Sequence, residues 1–366
     1  MFAEYRLRTG TLLAGLLMYP AFVIATPDLH IHVFDTEEKV KPDSAAPALA
    51  LHVFSHTAGE DTEARQTQQI KQQPAQQNAA LTYQRADVYL KTGYRRDELI
   101  WNKAGLNGVP NILSELTWDN LEIATLNLGS TLYFNNNWLV NLDFLYGRIL
   151  NGDNQDSDYF GNNRTFEFSR SNNGADEGDV YDISAHIGYR WKWGYENSQS
   201  LKGEVRPLLG VSYHAQNLKI VDGNQTIPAF GAFEGLDSSY DSTWFGPWLG
   251  VESLFFFSDK LSLRLGTEAH YAYYDATANW NLRTDFEHPE SFTHEAQGYG
   301  FITRLEAQYQ FDTKLSFNFS VNHQRWRADR KGVDQIFFAD GSTVKLKFNE
   351  VEWDSFAMNL GVNYQF

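Results

Sequence analysis

The chain has no cysteine, which removes any disulfide framework and any thiolate metal site. It is short of positive charge: 30 Lys and Arg stand against 46 Asp and Glu, a formal net charge of −16. That balance argues against a nucleic-acid partner, whose phosphate backbone calls for basic patches. Long apolar runs are also missing, apart from one near the N-terminus, and the mean hydropathy of −0.45 excludes a bundle of transmembrane helices. What the chain does have is aromatic residues, 15% of the total, with 19 Tyr, 26 Phe and 10 Trp among 366 residues. So many large rings in a polar chain require an explanation. The length fits one large or two small domains.

The N-terminal run is "TLLAGLLMYPAFVIA", preceded by Arg6 and Arg8 and ending at Val23-Ile24-Ala25, a small-residue cleavage pattern. It is too short to span a bilayer as a helix and reads as a secretory signal peptide over residues 1–25. A retained membrane anchor is the alternative. Residues 26–80 read as an extension of low order, ending in the Gln-rich linker "QTQQIKQQPAQQNAA" from Gln66 to Ala80. Before the linker, "LHIHVFDT" at Leu29 and "LALHVFSHT" at Leu49 repeat a His-Val-Phe core. Alternating histidines on a strand share a face, so His30, His32, His52 and His56 are weak metal-ligand candidates. No further ligand type accompanies them, and a pair of short strands or docking peptides is the plainer reading. No cofactor is expected.

From residue 81 onward the pattern changes to period-2 alternation, the mark of a strand. Ten segments follow: 84–101, 113–134, 138–156, 176–193, 201–221, 240–257, 261–282, 299–311, 315–338 and 343–366. Short links, such as "NNN" at 135–137, "SDK" at 258–260 and "DTK" at 312–314, alternate with long ones at 102–112, 157–175, 222–239 and 283–298. An even number of antiparallel strands with short turns at one end and long loops at the other predicts an all-β, ten-stranded transmembrane barrel of an outer membrane. In "LSLRLGTEAHYAY", Leu261, Leu263, Leu265, Tyr271 and Tyr273 share one face, and Arg264, Glu268 and His270 share the other. The export signal, the strand number and the aromatic excess place the apolar face against lipid. Closure into a ring also satisfies the backbone edges that an open sheet in lipid would leave bare.

The last strand ends "FAMNLGVNYQF", with Phe356, Met358, Leu360, Val362, Tyr364 and Phe366 in one phase. A terminal Phe of this kind resembles the tail that the barrel-assembly machinery reads, which implies that machinery as a partner of Phe366. The inward phase collects ionisable groups of both signs, among them Asp143, Asp182, His186, Arg206, Glu252 and Glu306. In so narrow a barrel they are expected to pair and fill the lumen. A narrow conducting pore is the alternative.

Three stretches carry a family resemblance over residues 84–366. "LSELTWDNLEIATLNLG" from Leu113, "DSDYFGNN" from Asp156 and "GPWLGV" from Gly246 resemble segments of the omptins, ten-stranded outer-membrane endoproteases. The resemblance implies an Asp-x-Asp pair facing an Asp-x-His dyad that activates a water. Asp156 and Asp158 match the first pair. Aligned without gaps from Gly266-Thr267, the dyad positions fall on Trp280 and Leu282, which move no proton. The nearest substitutes are Asp285, Glu287 and His288 in "RTDFEHPESFTHE". The candidate catalytic set is therefore Asp156, Asp158, Asp285 and His288. Plainer readings are a solvated turn or weak cation site at Asp156-Ser157-Asp158, and an extended loop residue at His288-Pro289. The histidines of "SYHAQ" and "VNHQRW" come with no evident Ser nucleophile and base. The expected function is a non-catalytic omptin-like barrel in a Gram-negative outer membrane. It would contact lipid and lipopolysaccharide and present long extracellular loops to a surface or periplasmic partner. An endoprotease and a small pore are the alternatives.

Overall fold

The computed structural model describes residues 81–196 and 201–366. The export segment 1–25, the extension 26–80 and His30, His32, His52 and His56 lie outside them. The strands run in order: β1 (Tyr83–Lys103), β2 (Ser114–Phe134), β3 (Trp138–Gly161), β4 (Thr165–Gly174), β5 (Gly178–Tyr189), β6 (Trp191–Trp193), β7 (Lys202–Ile227) and β8 (Gly231–Ala232). Then follow β9 (Ser238–Phe256), β10 (Leu261–Asn279), β11 (Phe292–Gln310), β12 (Leu315–Phe337) and β13 (Thr343–Gln365). Neighbours pair antiparallel, and β1 pairs with β13 from Asp87↔Gln365 to Lys103↔Phe348, which closes the ring. Ten antiparallel strands form the wall. The tenth is a composite: β4 lies between the upper part of β3 and β7, and β5 takes the same place lower down.

Three expected loops are partly strand, for residues 222–227 continue β7 and 231–232 form β8. Residues 157–175 hold the end of β3 and all of β4, and residues 292–298 belong to β11. These stretches are polar on their outer side and mixed on their inner side, so the apolar–polar alternation that reveals a half-buried strand is weak. Asp156-Ser157-Asp158 is thus strand, not turn.

Most wall strands are 19 to 26 residues long, whereas a tilted strand needs only about 9–11 residues to cross the hydrocarbon core. About half of each strand stands clear of the membrane, and the surface changes at that height. On β10 the outer face reads Leu261, Leu263, Leu265, Thr267, Ala269, Tyr271, Tyr273 and then Asp275 and Thr277. On β13, read toward the loop end, Leu360, Met358 and Phe356 give way to Asp354, Glu352 and Glu350. On β12, Phe317, Phe319 and Val321 give way to His323, Arg325 and Arg327.

The interior changes at the same level in the opposite sense. Beside the apolar belt the lumen is charged. Lys91 meets Glu306 at 2.5 Å, Arg304 meets Glu268 at 3.2 Å, and Arg95 meets Asp182 at 2.8 Å and also binds Asp97. Above it the interior is closely packed and largely aromatic. Trp101, Trp118, Trp244, Trp326 and Trp353 are each at most 1% exposed. Trp326 and Trp353 stack at 5.5 Å, and Tyr240 stacks on Trp101 and Trp118 at 5.8 and 5.1 Å. With Trp248, 3% exposed and packed on His270, six of the ten tryptophans therefore line the interior rather than a lipid interface. Glycines make room for such rings: a Cβ on Gly300 would lie 2.2 Å from the Trp326 ring, and one on Gly210 would lie 2.4 Å from Trp248. The inside-out arrangement expected for the whole cylinder holds only in its lower half.

Candidate functional site

The loop-end mouth is built from β1, β3 and the 280–291 link. Asp156 and Asp158 are two apart on β3, so they share a face. They pair with Leu116 and Ser114 of β2, whose side chains point inward. Burial and the neighbouring Asp158 push the Asp156 carboxyl up to about 7, and burial also raises Asp158. Asp156 Oδ1 accepts no hydrogen bond. The charges that oppose this pair are Lys103 and Arg283, and the Trp280 indole lies beside Asp156.

The link folds back on itself. Arg283 N–H donates to the Trp280 carbonyl at 2.9 Å, and Phe286 N–H donates to the Arg283 carbonyl at 2.9 Å. The Arg283 guanidinium stacks over Phe286 at 4.1 Å and donates twice to Asp285, at 2.9 and 2.8 Å. Those bonds hold the Asp285 carboxyl below its ordinary range. His288 is exposed, with Nδ1 2.8 Å from Asn279 Oδ1 and Nε2 3.2 Å from the Arg283 carbonyl. Among the described residues no hydrogen bond joins His288 to Asp285, Asp156 or Asp158. The fold brings the two β3 carboxylates together, and it engages Asp285 and His288 elsewhere.

Beneath the mouth lies a buried chain that the sequence reading missed. His294 Nδ1 is 2.8 Å from the Tyr240 hydroxyl, which is 2.7 Å from that of Tyr274. His294 Nε2 lies 3.2 Å from Asp334, and Lys103 Nζ lies 3.0 Å from the same carboxylate. Burial drives His294 down to about 4, so it is neutral at ordinary pH. Burial alone would raise Asp334, but Lys103 and His294 outweigh it and hold the carboxylate low. The signal for His294 was its inward parity on β11, hidden because that strand reads as beginning seven residues later.

A second missed cluster lies in the lumen. Ser212 of "SYHAQ" lies 3.1 Å from His270 Nδ1, and His270 Nε2 lies 3.1 Å from Glu268. The order is that of a nucleophile, a base and an acid. The surrounding backbone N–H groups are committed to the strand ladder, so no pair of donors is free to stabilise an oxyanion. Glu268 also binds Arg304, and the cluster is part of the lumen's polar filling.

The model of the Protochlamydia outer membrane protein family matches residues 89–366. The chain belongs to that family. No curated protein matches it. Among solved structures it is similar to the outer membrane protease OmpT of Escherichia coli. The TM-score is 0.64 at 11% identity, over 79% of this chain and 99% of OmpT. The translocator domain of the autotransporter NalP from Neisseria meningitidis is a more distant neighbour, with a TM-score of 0.34 at 12% identity over 77% of this chain and 89% of that domain. This member of the Protochlamydia outer membrane protein family is an omptin-like β-barrel of a Gram-negative outer membrane.

Proposed function

We propose that the protein is a non-catalytic outer-membrane barrel that presents its long-loop end at the cell surface. The observation that carries this reading is the engagement of the expected dyad. Asp285 is tied to Arg283, and His288 is tied to Asn279 and a backbone carbonyl. Lys103 and Arg283, not an imidazole, face Asp156 and Asp158. A carboxylate pair opposed by cations lacks the oriented imidazole base that the expected dyad would bring to a water between them. The aromatic plug above a charged lumen, where the cavity is only about 140 Å³, supports a barrel closed to ion flow. Export through residues 1–25, contact with lipopolysaccharide and assembly through Phe366 belong to the same reading. Phe366 is exposed, and its backbone N–H donates to Ala86 at 2.9 Å.

The test is cleavage of a dibasic fluorogenic peptide by barrel refolded with lipopolysaccharide. Turnover no greater than that of an Asp156→Asn variant is expected. Turnover that disappears on His288→Ala would overturn the proposal. One observation favours an endoprotease as a second reading: Asp156, raised to about 7 next to Asp158, forms a pair able to hold one proton near neutral pH. That reading expects turnover lost on Asp156→Asn and retained on His288→Ala.

A further inference from the structure

The short-turn mouth of the lumen is unbalanced in charge. A cavity of about 370 Å³ there is lined by seven cationic side chains and three carboxylates. Three arginines have carboxylate partners, and the three lysines, Lys192, Lys260 and Lys314, are exposed to water. Arg206 meets Glu204 at 2.7 Å, Arg264 lies 3.8 Å from Glu306, and Arg85 lies 3.4 Å from Asp87. Arg190 has none. It is 7% exposed, its Nε–H meets no acceptor, and among the described residues no carboxylate forms an ion pair with it. Its guanidinium lies 4.7 Å from the centre of the Tyr133 ring. The guanidinium carbons of Arg85 and Arg206 lie 4.3 and 5.9 Å from the same centre.

Stacking on a phenol satisfies the flat face of a guanidinium, but not the N–H groups at its edge. Three like charges around one ring also repel one another. Glu204 attracts Arg190 from a distance but already binds Arg206; a buried cation short of counter-charge is costly, and the planar fork of arginine matches a tetrahedral oxyanion. We propose that this mouth is a binding site for a phosphate-type oxyanion, held by the edge of Arg190 with Arg85 and Arg206 beside it. The aromatic plug closes the other end of the lumen, so the anion enters from the short-turn side, which in such barrels faces the periplasm.

The experiment titrates inorganic phosphate into the full-length barrel in a neutral maltoside detergent. Ionic strength is held constant with chloride, and binding heat and the thermal unfolding midpoint are followed. Saturable binding and a rising midpoint are expected. Arg190→Gln should weaken binding at least tenfold and, without phosphate, leave the midpoint unchanged or higher, because an unpaired charge has gone. Arg85→Gln, at a more exposed side chain, should fold normally and weaken binding less. Two results overturn the proposal: no saturable binding to wild type, or wild-type affinity in Arg190→Gln. A lower midpoint for Arg190→Gln in phosphate-free buffer also counts against it, since Arg190 would then be a strut satisfied by Tyr133. Adding phosphatidylglycerol to the micelles separates the sources of the oxyanion. Competition with phosphate assigns a lipid headgroup, and its absence assigns a free solute.

Discussion

The two halves of the barrel solve opposite problems with one backbone. In the lower half, Leu360, Leu265 and Phe319 face outward while Lys91, Glu306 and Arg304 face inward. In the upper half, Arg325, Glu352 and Asp275 face outward while Trp353, Trp326 and Tyr274 face inward. The crossover is sharp on β1 and β13 and staggered on β9, where Trp248 still faces inward beside the outward Phe245 and Leu249. On β1 the outer face passes from Tyr94 to Arg96, and the inner face passes from Asp97 to Leu99. The lower half uses lipid as its apolar phase, so its polar groups must be satisfied inside. The upper half stands in water and follows the ordinary rule of a soluble protein, with a packed apolar core. Its core also serves as the plug of the lower half.

The sharpest way to break this contrast is to empty the plug. Trp353→Ala removes a fully buried ring stacked on Trp326, and a loss of about 3–5 kcal/mol is expected in urea unfolding from lipid vesicles. The same variant should be the first to show conductance in a planar bilayer, where wild type should match an empty membrane. Next comes a charge placed in the wrong zone. Leu360→Arg in the belt should cost about 2–4 kcal/mol, by the same unfolding measurement, if Leu360 lies near the bilayer midplane. At the same outer face higher up, Arg325 already occurs natively, and Arg325→Leu should change stability by about 0.5 kcal/mol or less. A near-equal cost for these two outer-face changes would remove the distinction between the halves.

A smaller effect concerns pH. Asp156 has a folded value of about 7, above its unfolded value, so the folded state holds more protons across that interval. Its contribution to stability is therefore lost as pH rises toward 7. His294, depressed to about 4, acts the other way: it binds its proton more readily when unfolded, so stability falls as pH drops from its ordinary value toward 4. Asp156→Asn should stabilise the barrel at pH 8 by on the order of 1 kcal/mol and have little effect at pH 4. An equal gain at both pH values would show that Asp156 is not protonated in the folded state.

Much of the lower half was legible residue by residue. That Leu261 through Tyr273 share one face and Arg264, Glu268 and His270 the other follows from alternation alone, because lipid on one side and charge on the other maximise the contrast; strand number and the aromatic excess turned the charged face inward. The candidate site was less legible. The Asp156–Asp158 pair was found through a short motif, and its geometry follows from a shared strand face. Lys103 and Arg283 were not found, because they approach it from β1 and the 280–291 link, far away in sequence. His294 and Asp334 were hidden for a second reason: above the belt the outer face is polar and the inner face is mixed, so the strand pattern fades.

By itself the sequence determined the number of wall strands and which residues of each share a face, since period-2 alternation is a local property set by the pleat, and strand number with the aromatic excess set the apolar face against lipid. The tertiary structure alone decided where that preference reverses and which side chains meet across the lumen. Both depend on register between strands and on the height at which each residue leaves the bilayer, and neither is encoded within a single strand.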